Sequence, residues 1–355
     1  MITYGELVGL FCPEEKEKIK QLIDTSAGIK RLSLSGLAGS SLSLLAAPLM
    51  ADFKRHHLFI LPDRESAAFL YHDLEKLLGD HDKELVDKRV HYFPSSYRRT
   101  HKTDETDNAN IKLRSEIINK LVTRDDKFVI ISYPDALSEK LVSSRYLKTN
   151  SFNIKLGETL PIDIFLEFLY AYQYQQEDFV FEPGQFAWRG GIFDVFSFSE
   201  EYPFRIELEG DKVASIRLFD TTTQLSVKEI DNLHIMPATS SGTMVEEQVS
   251  FFDFLDDNTL FWIRDIADVK SQLDNIFAKV EKEKAENEAT IEQLPAEETF
   301  IQGKDFLSGI TGHTLIELEA TTLDHYDLSL DFGIKQQNHF GKSFDMLMAE
   351  WIDHT

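Results

Sequence analysis

The chain has 355 residues with 37 basic and 61 acidic side chains, and its formal net charge of −24 at pH 7 argues against a general nucleic-acid coat. Hydrophobic residues make up 42% and aromatic residues 12%, which excludes a disordered chain. Residues 1–150 hold 23 basic and 22 acidic groups, residues 151–238 hold 6 and 15, and residues 239–355 hold 8 and 24. This length and uneven charge predict more than one domain.

Cysteine content and the N-terminal sequence predict a cytoplasmic protein. Cys12 is the single cysteine, which excludes a disulfide framework and a multi-cysteine zinc site. Residues 1–20 lack the basic start and apolar core of a signal peptide. The most apolar stretch, residues 32–50, is interrupted by five serines and two glycines, so we expect it inside the fold and expect no membrane partner.

From residue 28 to residue 142, short apolar runs alternate with longer amphipathic ones, the pattern of βαβ units and a parallel sheet. Apolar residues recur at helical spacing in the predicted helices Glu65–Leu78 and Ile111–Leu121. The predicted strands are Arg31–Ser35, His57–Pro62, Arg89–Phe93 and Phe128–Tyr133.

After residue 150 the pattern changes to a helix, Ile162–Tyr174, followed by short alternating runs. The runs predicted as strands are 179–181, 186–188, 192–196, 204–208, 215–219 and 225–227. Residues 209–212, Glu-Gly-Asp-Lys, have the chemistry of a hairpin turn. These features predict a compact, mainly antiparallel α+β domain over residues 151–238, closed by Pro237.

The acidic region 239–355 contains a further set of predicted elements. They are a helix at Phe251–Leu255, a strand at Leu260–Ile263, a helix at Ile266–Val280 and a strand at Leu315–Leu318. Residues 279–298, rich in Glu, Lys and Ala, predict a solvated helix or a connector. The simplest architecture is an α/β domain over residues 1–150, interrupted by the 151–238 domain, with residues 239–355 completing or flanking the first sheet.

Gly36 opens a segment placed as a phosphate-binding loop would be, between a buried strand and a helix. On the pattern GxxxxGK followed by Ser or Thr, Gly36 and Ser43 match, but Ser41 replaces the second glycine and Leu42 replaces the lysine. The lysine charge and the second glycine are the parts that hold the phosphates. We therefore predict that Gly36 and Gly39 serve a strand-to-helix turn and that ATP is not held, while a weakly bound anion stays open.

Other polar groups carry weaker indications. His56 and His57 have no cysteine or acidic partner at ligand spacing, so they are interpreted as packing or surface residues and no metal site is predicted. Residues 98–102, Arg-Arg-Thr-His-Lys, form a compact basic cluster, which leaves a contact with a phosphate backbone open.

The most distinctive sequence runs from Phe179 to Asp220 and contains the strings PGQFAWRGGIFDVF, PFRIELEGD and SIRLFD. Upstream, LSGLAGSSLSLLAA, LFILPD, HYFPSSY and VIISYPDAL follow in order. Together they closely resemble the bacterial transcription-repair coupling factor family (Mfd), in the module that this family shares with the excision-repair protein UvrB. The family also has a degenerate loop without the lysine, whereas UvrB keeps a working one. The C-terminal part matches only loosely.

The resemblance implies a role in nucleotide excision repair. The intact protein of this family recognises RNA polymerase stalled at a DNA lesion, displaces it with an ATP-driven DNA translocase and recruits UvrA. The chain resembles only the N-terminal, UvrB-like part, so we expect it to be non-catalytic and without a cofactor. ATP, magnesium, polymerase and DNA would be engaged by absent domains. By resemblance, residues 151–238 bind UvrA and also pack against later domains of the same protein as an autoinhibitory contact.

Arg189 is the main predicted contact residue. Strand alternation places Phe186 and Trp188 on one face and Gln185, Ala187 and Arg189 on the other. Arg189 precedes two glycines and is suited to pair with a partner's carboxylate. By resemblance, it aligns with an arginine that contacts UvrA, while Trp188 is expected in the core.

Further residues near Arg189 are predicted to take part in the UvrA contact. Phe193 is expected as an apolar neighbour of Arg189, and Arg205 or Phe196 would frame the patch. Gln175 and Gln176 stand where many family members have an arginine, so we expect a weaker or redistributed contact there.

Three alternatives stay open from the sequence. Arg189 could pair with Asp194 or Glu182 inside the domain. The chain could be a UvrB-like nucleotide- or DNA-binding enzyme, which the missing lysine and the charge of −24 argue against. It could also be a clamp that holds the motor inactive, with UvrA binding incidental.

Overall fold

The computed structural model describes residues 8–25, 28–51, 54–83, 87–100, 103–106, 108–123, 126–172, 174–198, 200, 202–235, 248–286, 295–319 and 325–334. Its helices are α1 (Pro13–Thr25), α2 (Ser41–Met50), α3 (Arg64–Leu77), α4 (Asn108–Thr123), α5 (Pro134–Ser138), α6 (Ser144–Thr149), α7 (Ile162–Ala171), α8 (Ile266–Glu286), α9 (Ala296–Thr299) and α10 (Gly303–Ile310), with a 3₁₀ turn at Phe251–Phe254.

The strands follow the same chain order. They are β1 (Arg31–Ser35), β2 (His57–Ile60), β3 (Val90–Tyr92), β4 (Tyr97–Thr100), β5 (Thr103–Thr106), β6 (Val129–Ser132), β7 (Leu141–Val142), β8 (Phe152–Lys155), β9 (Gln175–Gln176), β10 (Gln185–Arg189), β11 (Ile192–Val195), β12 (Phe204–Glu209), β13 (Lys212–Phe219), β14 (Ser226–Glu229), β15 (Asn232–Ile235), β16 (Gln248–Val249), β17 (Leu260–Ile263), β18 (Thr314–Glu317) and β19 (Leu328–Asp331).

The larger sheet is parallel, with the strand order β19-β1-β18-β17-β2-β6-β3. Strands β2, β6 and β17 are buried along their whole length, as parallel strands are when both faces of the sheet are covered. Strands β17 and β18 lie between β1 and β2, although the chain reaches them only after the second sheet. The segment after residue 248 therefore supplies the centre of the sheet that the N-terminal segment begins.

The second sheet, in the order β14-β13-β12-β11-β10-β9, is antiparallel except for the short β9–β10 pair. Gly210, in the left-handed region at φ +64°, lies in the predicted hairpin turn between β12 and β13. Helix α7 packs Phe165 and Leu169 into the same core as Phe186 and Phe193 of the sheet. Strand β8 pairs with β15, which brings the two ends of this module together. A parallel sheet and a separate, mainly antiparallel sheet confirm the predicted fold class.

Most predicted elements are present, and the differences have local causes. Residues 179–181 are irregular rather than a strand, because the backbone N–H groups of Phe181 and Glu182 donate to Gln185 Oε1 at 2.8 and 3.0 Å. Helix α7 ends at Ala171 rather than at residue 174. The sequence analysis did not predict β8, β15, β19 or the β4–β5 hairpin, each strand of which is only four residues long. Part of the predicted helix or connector at 279–298, and Pro237, lie outside the described residues.

Candidate functional site

One face of the second sheet carries all three arginines of residues 151–238. Cross-strand neighbours share a face, and the register sets Asp194 opposite Arg205 and Arg205 opposite Arg217. Arg189 lies on the same face, two residues after the strand partner of Asp194. Glu207 shares this face because it lies two residues after Arg205. We call the surface formed by these five side chains the arginine face; the opposite face of the sheet packs against α7.

Two of the three arginines are neutralised within the sheet. Arg205 Nε and Nη2 donate to the two carboxylate oxygens of Asp194 at 2.7 and 2.8 Å, and Nη2 also donates to Gln224 Oε1 at 3.0 Å. The hydrogen bonds to the buried Asp194 carboxylate raise the pKa of Arg205. Arg217 donates to Glu207. The charges of Arg205 and Arg217 are therefore already matched by neighbouring carboxylates.

Arg189 is compensated much less than its two neighbours. Its Nη2 lies 3.6 Å from Asp194 Oδ2, an ion-pair contact beyond hydrogen-bond distance, because Arg205 already occupies that carboxylate. The guanidinium stacks over Phe179, with Cζ 4.4 Å from the ring centroid, and 49% of the side chain is exposed. The internal pairing with Asp194 is thus present but loose. A planar, half-exposed guanidinium remains available for a carboxylate from outside.

Phe193 and Phe196 do not lie on the surface beside Arg189, so that expectation is wrong. Phe193 is fully buried, because its position opposite Trp188 in the β10–β11 pair directs it towards α7, where its ring meets Phe165 at 5.4 Å. Phe196 is also buried, in a small cluster with Val180 and Ala187. Both rings support the sheet from within rather than offering a surface to a partner.

Trp188 was expected in the core, but it is exposed, at 39%. Its ring stacks on Phe193 with centroids 5.3 Å apart, and its Nε1 donates to the Gly190 carbonyl at 2.9 Å, so its orientation is fixed at both ends. Phe179 and Phe181 are also exposed, by 49% and 59%, and sequence reasoning missed both as site residues. The available signal was their position: two aromatic residues directly before the Pro-Gly turn that leads into β10.

Gln175 and Gln176 form the two-residue edge strand β9, and both are exposed. Gln175 pairs with Gln185 at the start of β10, four residues from Arg189 along that strand. That separation corresponds to about 13 Å. Gln176 Oε1 accepts a hydrogen bond from the Tyr170 hydroxyl. Both glutamines therefore lie beside β10, the strand that carries Arg189, but at the opposite end of that strand.

At the degenerate phosphate loop, β1 ends at Ser35, and Gly36 and Gly39 follow in the left-handed region at φ +67° and +57°. A Cβ at Gly36 would lie 2.3 Å from Asp331 Oδ1 and 2.6 Å from the Gly333 nitrogen. The loop therefore packs directly against the segment that leaves β19. The turn from β1 into α2 requires glycine at Gly36 for packing as well as for backbone conformation.

A cleft of about 580 Å³ lies above this loop, and the side chains present do not fit the phosphates of a nucleotide. Leu42 lines the cleft at the position of the missing lysine. Ser43 Oγ donates to Asp73 Oδ2 at 3.0 Å, and the one arginine lining the cleft, Arg264, donates to Glu319 at 2.6 Å. Phosphates would meet two carboxylates and a guanidinium that is already paired. Ser41 is buried in the first turn of α2.

The paired histidines are packing residues, as predicted. His56 Nδ1 accepts from the Phe128 backbone N–H at 3.3 Å, and burial lowers the pKa of His56, against the opposite effect of Asp256. His57 Nδ1 accepts from Trp262 Nε1 at 3.1 Å. In the part of the chain that the structure describes, no cluster of three potential metal ligands occurs. Among the same residues, no helix is long and apolar enough to cross a membrane.

The predicted basic cluster falls on the β4–β5 hairpin, where the register sets Arg98 opposite Glu105 and Arg99 opposite Asp104. Every cation placed by this register has an acidic residue across from it. Residues 101 and 102 lie outside the described residues.

Comparison with known proteins finds one matching domain family and relatives of two kinds, transcription-repair coupling factor and UvrB. Residues 152–240 match the UvrB interaction domain family. The chain is 26% identical over 250 residues to the transcription-repair-coupling factor of Bacillus subtilis, covering 68% of this chain and 20% of that protein. It is 26% identical over 258 residues to UvrABC system protein B of Streptococcus agalactiae (69% of this chain, 39% of that protein). It is 29% identical over 233 residues to the same protein of Oleidesulfovibrio alaskensis (63% and 34%).

The chain therefore spans about a fifth of the coupling factor and between a third and two fifths of these UvrB proteins. The matched family lies on the module that carries the arginine face. Residues 152–240 thus match the UvrB interaction domain family, and the chain is similar, over about two thirds of its length, to both transcription-repair coupling factor and UvrB.

Proposed function

We propose that this chain is a non-catalytic recruitment module of nucleotide excision repair, which binds UvrA through the arginine face with Arg189 as the anchor. The observation that carries the proposal is the difference between the three arginines. Arg205 and Arg217 are hydrogen-bonded to carboxylates, whereas Arg189 is half exposed and only loosely paired. The match of residues 152–240 to the UvrB interaction domain family supports the same surface.

The chemistry of this surface favours an acidic contact on the partner. The module holds six basic groups against fifteen acidic ones, so an acidic partner meets long-range repulsion nearly everywhere on it. Arg189 is a local exception, and a bidentate guanidinium–carboxylate pair is both strong and specific in orientation. Arginine and aromatic residues are also the side chains that most often dominate binding energy in interfaces.

The longer relatives suggest where this recruitment takes place. A coupling factor of which this chain matches about a fifth has room for translocase and polymerase-binding domains, and in such a protein the module would bring UvrA to a stalled RNA polymerase. The same surface would rest against a later domain until activation, as an autoinhibitory contact, in a cytoplasmic protein. In a longer protein that carries this module before a translocase, deleting the module and measuring ATP hydrolysis tests this: a clamp predicts a rise, and an unchanged rate contradicts it.

We also propose that the cleft above the degenerate loop holds no nucleotide and that the chain needs no cofactor. Leu42, Asp73 and the Arg264–Glu319 pair support this, because they leave no free cation for phosphates among the residues lining the cleft. Millimolar ATP with magnesium should leave the melting temperature unchanged. A clear ATP-dependent rise would favour the alternative, a UvrB-like nucleotide-binding enzyme.

The central test is calorimetric titration of the chain with purified UvrA. Arg189→Glu should weaken binding by roughly 30-fold or more, the scale of an interface hot spot. The matched control is Lys228→Glu, which makes the same charge change at an exposed cation of β14 in the same sheet and should bind like the parent. Equal binding by Arg189→Glu and the parent would show that the proposed site is wrong.

A further inference from the structure

An aromatic pair, Phe179 and Phe181, is exposed directly beside Arg189. The two side chains are 49% and 59% exposed, and their rings are 6.5 Å apart. Phe179 stacks against the Arg189 guanidinium, so the pair and the cation form one continuous surface. We call Phe179, Phe181 and Arg189 together the aromatic–arginine patch. The two rings form one apolar patch rather than two isolated exposed side chains, and contiguous apolar patches are the surface features that mark interaction sites.

The segment that carries these rings is held in place by its own contacts. Val180, between the two phenylalanines, is buried in the cluster with Ala187 and Phe196 and anchors the segment to the sheet. The backbone N–H of Phe181 is bound by Gln185 Oε1 at 2.8 Å. Because the backbone is already fixed, the rings are presented without the entropic cost of ordering a loop on binding.

The placement of the rings changes what the cation can bind. Phe179 covers one side of the guanidinium and removes water from it, which strengthens an ion pair formed at its remaining edge. The module carries 15 acidic and 6 basic groups, so a purely electrostatic attraction for an acidic partner is opposed by the rest of the surface. Apolar contact next to the ion pair is the term that offsets this repulsion.

We propose that Phe179 and Phe181 form the apolar half of the docking surface, and that the partner segment presents a carboxylate beside an apolar side chain. This inference rests on the proposed function, in which the partner is UvrA. It adds two contact residues and the chemistry of the segment that binds them. It also adds a contribution to binding that salt does not weaken, since apolar contacts are not screened.

Calorimetric titration with UvrA tests the two rings. Phe179→Ala and Phe181→Ala should each weaken binding about tenfold, the effect of losing a half-exposed aromatic contact. The matched control is Leu225→Ala, which removes an apolar side chain that is 69% exposed next to edge strand β14 and should bind like the parent. Phe181→Ala is decisive, because Arg189 stacks on Phe179 and not on Phe181.

The outcomes separate this inference from the proposed function. If Arg189→Glu loses binding while both phenylalanine variants bind like Leu225→Ala, the apolar half is wrong and the proposed function stands. If Arg189→Glu also binds like the parent, the proposed function itself fails. Because Phe179, Phe181 and Leu225 are all exposed, the melting temperatures of their alanine variants should stay within about 2 °C of the parent.

Carbodiimide coupling tests the chemistry of the partner segment. Arg189→Lys places an amine at the patch, and the reagent joins an amine to a carboxylate in contact with it. We expect a cross-link to a UvrA peptide whose Asp or Glu adjoins an apolar residue, found by mass spectrometry and absent from the parent complex. No cross-link, or a cross-link within a wholly polar segment, would overturn the proposed partner chemistry.

Discussion

Asp194 holds the arginine face together, and Asp194→Asn tests that role. Its carboxylate accepts both hydrogen bonds of the Arg205 fork at 2.7 and 2.8 Å, and Arg189 lies 3.6 Å away. Asparagine keeps the volume but removes the charge, and it turns one acceptor into an amide donor that faces a guanidinium. Arg205 cannot simply turn to water, because only 21% of its side chain is exposed.

The expected loss of stability follows from this burial. Removing one partner of a buried ion pair costs about 3–5 kcal/mol, and partial exposure of Arg205 places the expected value near the lower end, about 3 kcal/mol. The loose contact with Arg189 adds at most about 1 kcal/mol. The measurement is urea unfolding of the chain, followed by circular dichroism and extrapolated linearly to water.

Two controls make this prediction specific. Glu207→Gln breaks the more exposed pair with Arg217 on the same face and should cost less than about 1 kcal/mol. Asp194→Asn combined with Arg205→Met removes both charges and should recover part of the lost stability. If Asp194→Asn costs no more than Glu207→Gln, the Arg205–Asp194 pair does not stabilise the arginine face.

Three further predictions concern the loop, a buried histidine and the core of the module. Gly36→Ala should lower the free energy of unfolding by at least about 2 kcal/mol, because alanine is strained at a positive φ and its Cβ would clash with Asp331. Gly39→Ala meets the same backbone strain but has open space around it, so it should cost about 1 kcal/mol in the same urea assay. Burial lowers the pKa of His56, so the stability that the neutral imidazole contributes is fully present above pH 6.5 and is lost as the pH falls through the folded-state pKa. His56→Gln should therefore reduce the fall in melting temperature between about pH 7 and pH 5. An unchanged slope would contradict this. Phe193→Ala should cost about 3–5 kcal/mol of stability, because Phe193 is fully buried. Phe193→Leu should keep UvrA binding within about threefold of the parent. If Phe193→Leu folds stably but loses UvrA binding, Phe193 contacts the partner directly.

Local sequence patterns predicted the two kinds of sheet well. Arg31–Ser35 and Leu260–Ile263 were predicted with the bounds that β1 and β17 have, because short apolar runs between turn residues are a property of a few neighbouring residues. The hairpin turn at 209–212 was predicted for the same reason. Residues 179–181 were mispredicted as a strand, because the side chain of Gln185, and not the residues themselves, decides where their backbone hydrogen bonds go.

That Arg189 is a rare cation in an acidic module can be counted from the amino-acid sequence, since residues 151–238 hold six basic groups against fifteen acidic ones. That Arg189 is the least compensated of the three arginines follows only from the folded arrangement. Strand register places Arg205 directly across from Asp194, and that pairing uses the carboxylate Arg189 would otherwise share. Strand register also directs Phe193 into the core, and the ring of Phe179 lies against the Arg189 guanidinium. Contacts between strands depend on residues far apart in the chain, so no local pattern records them.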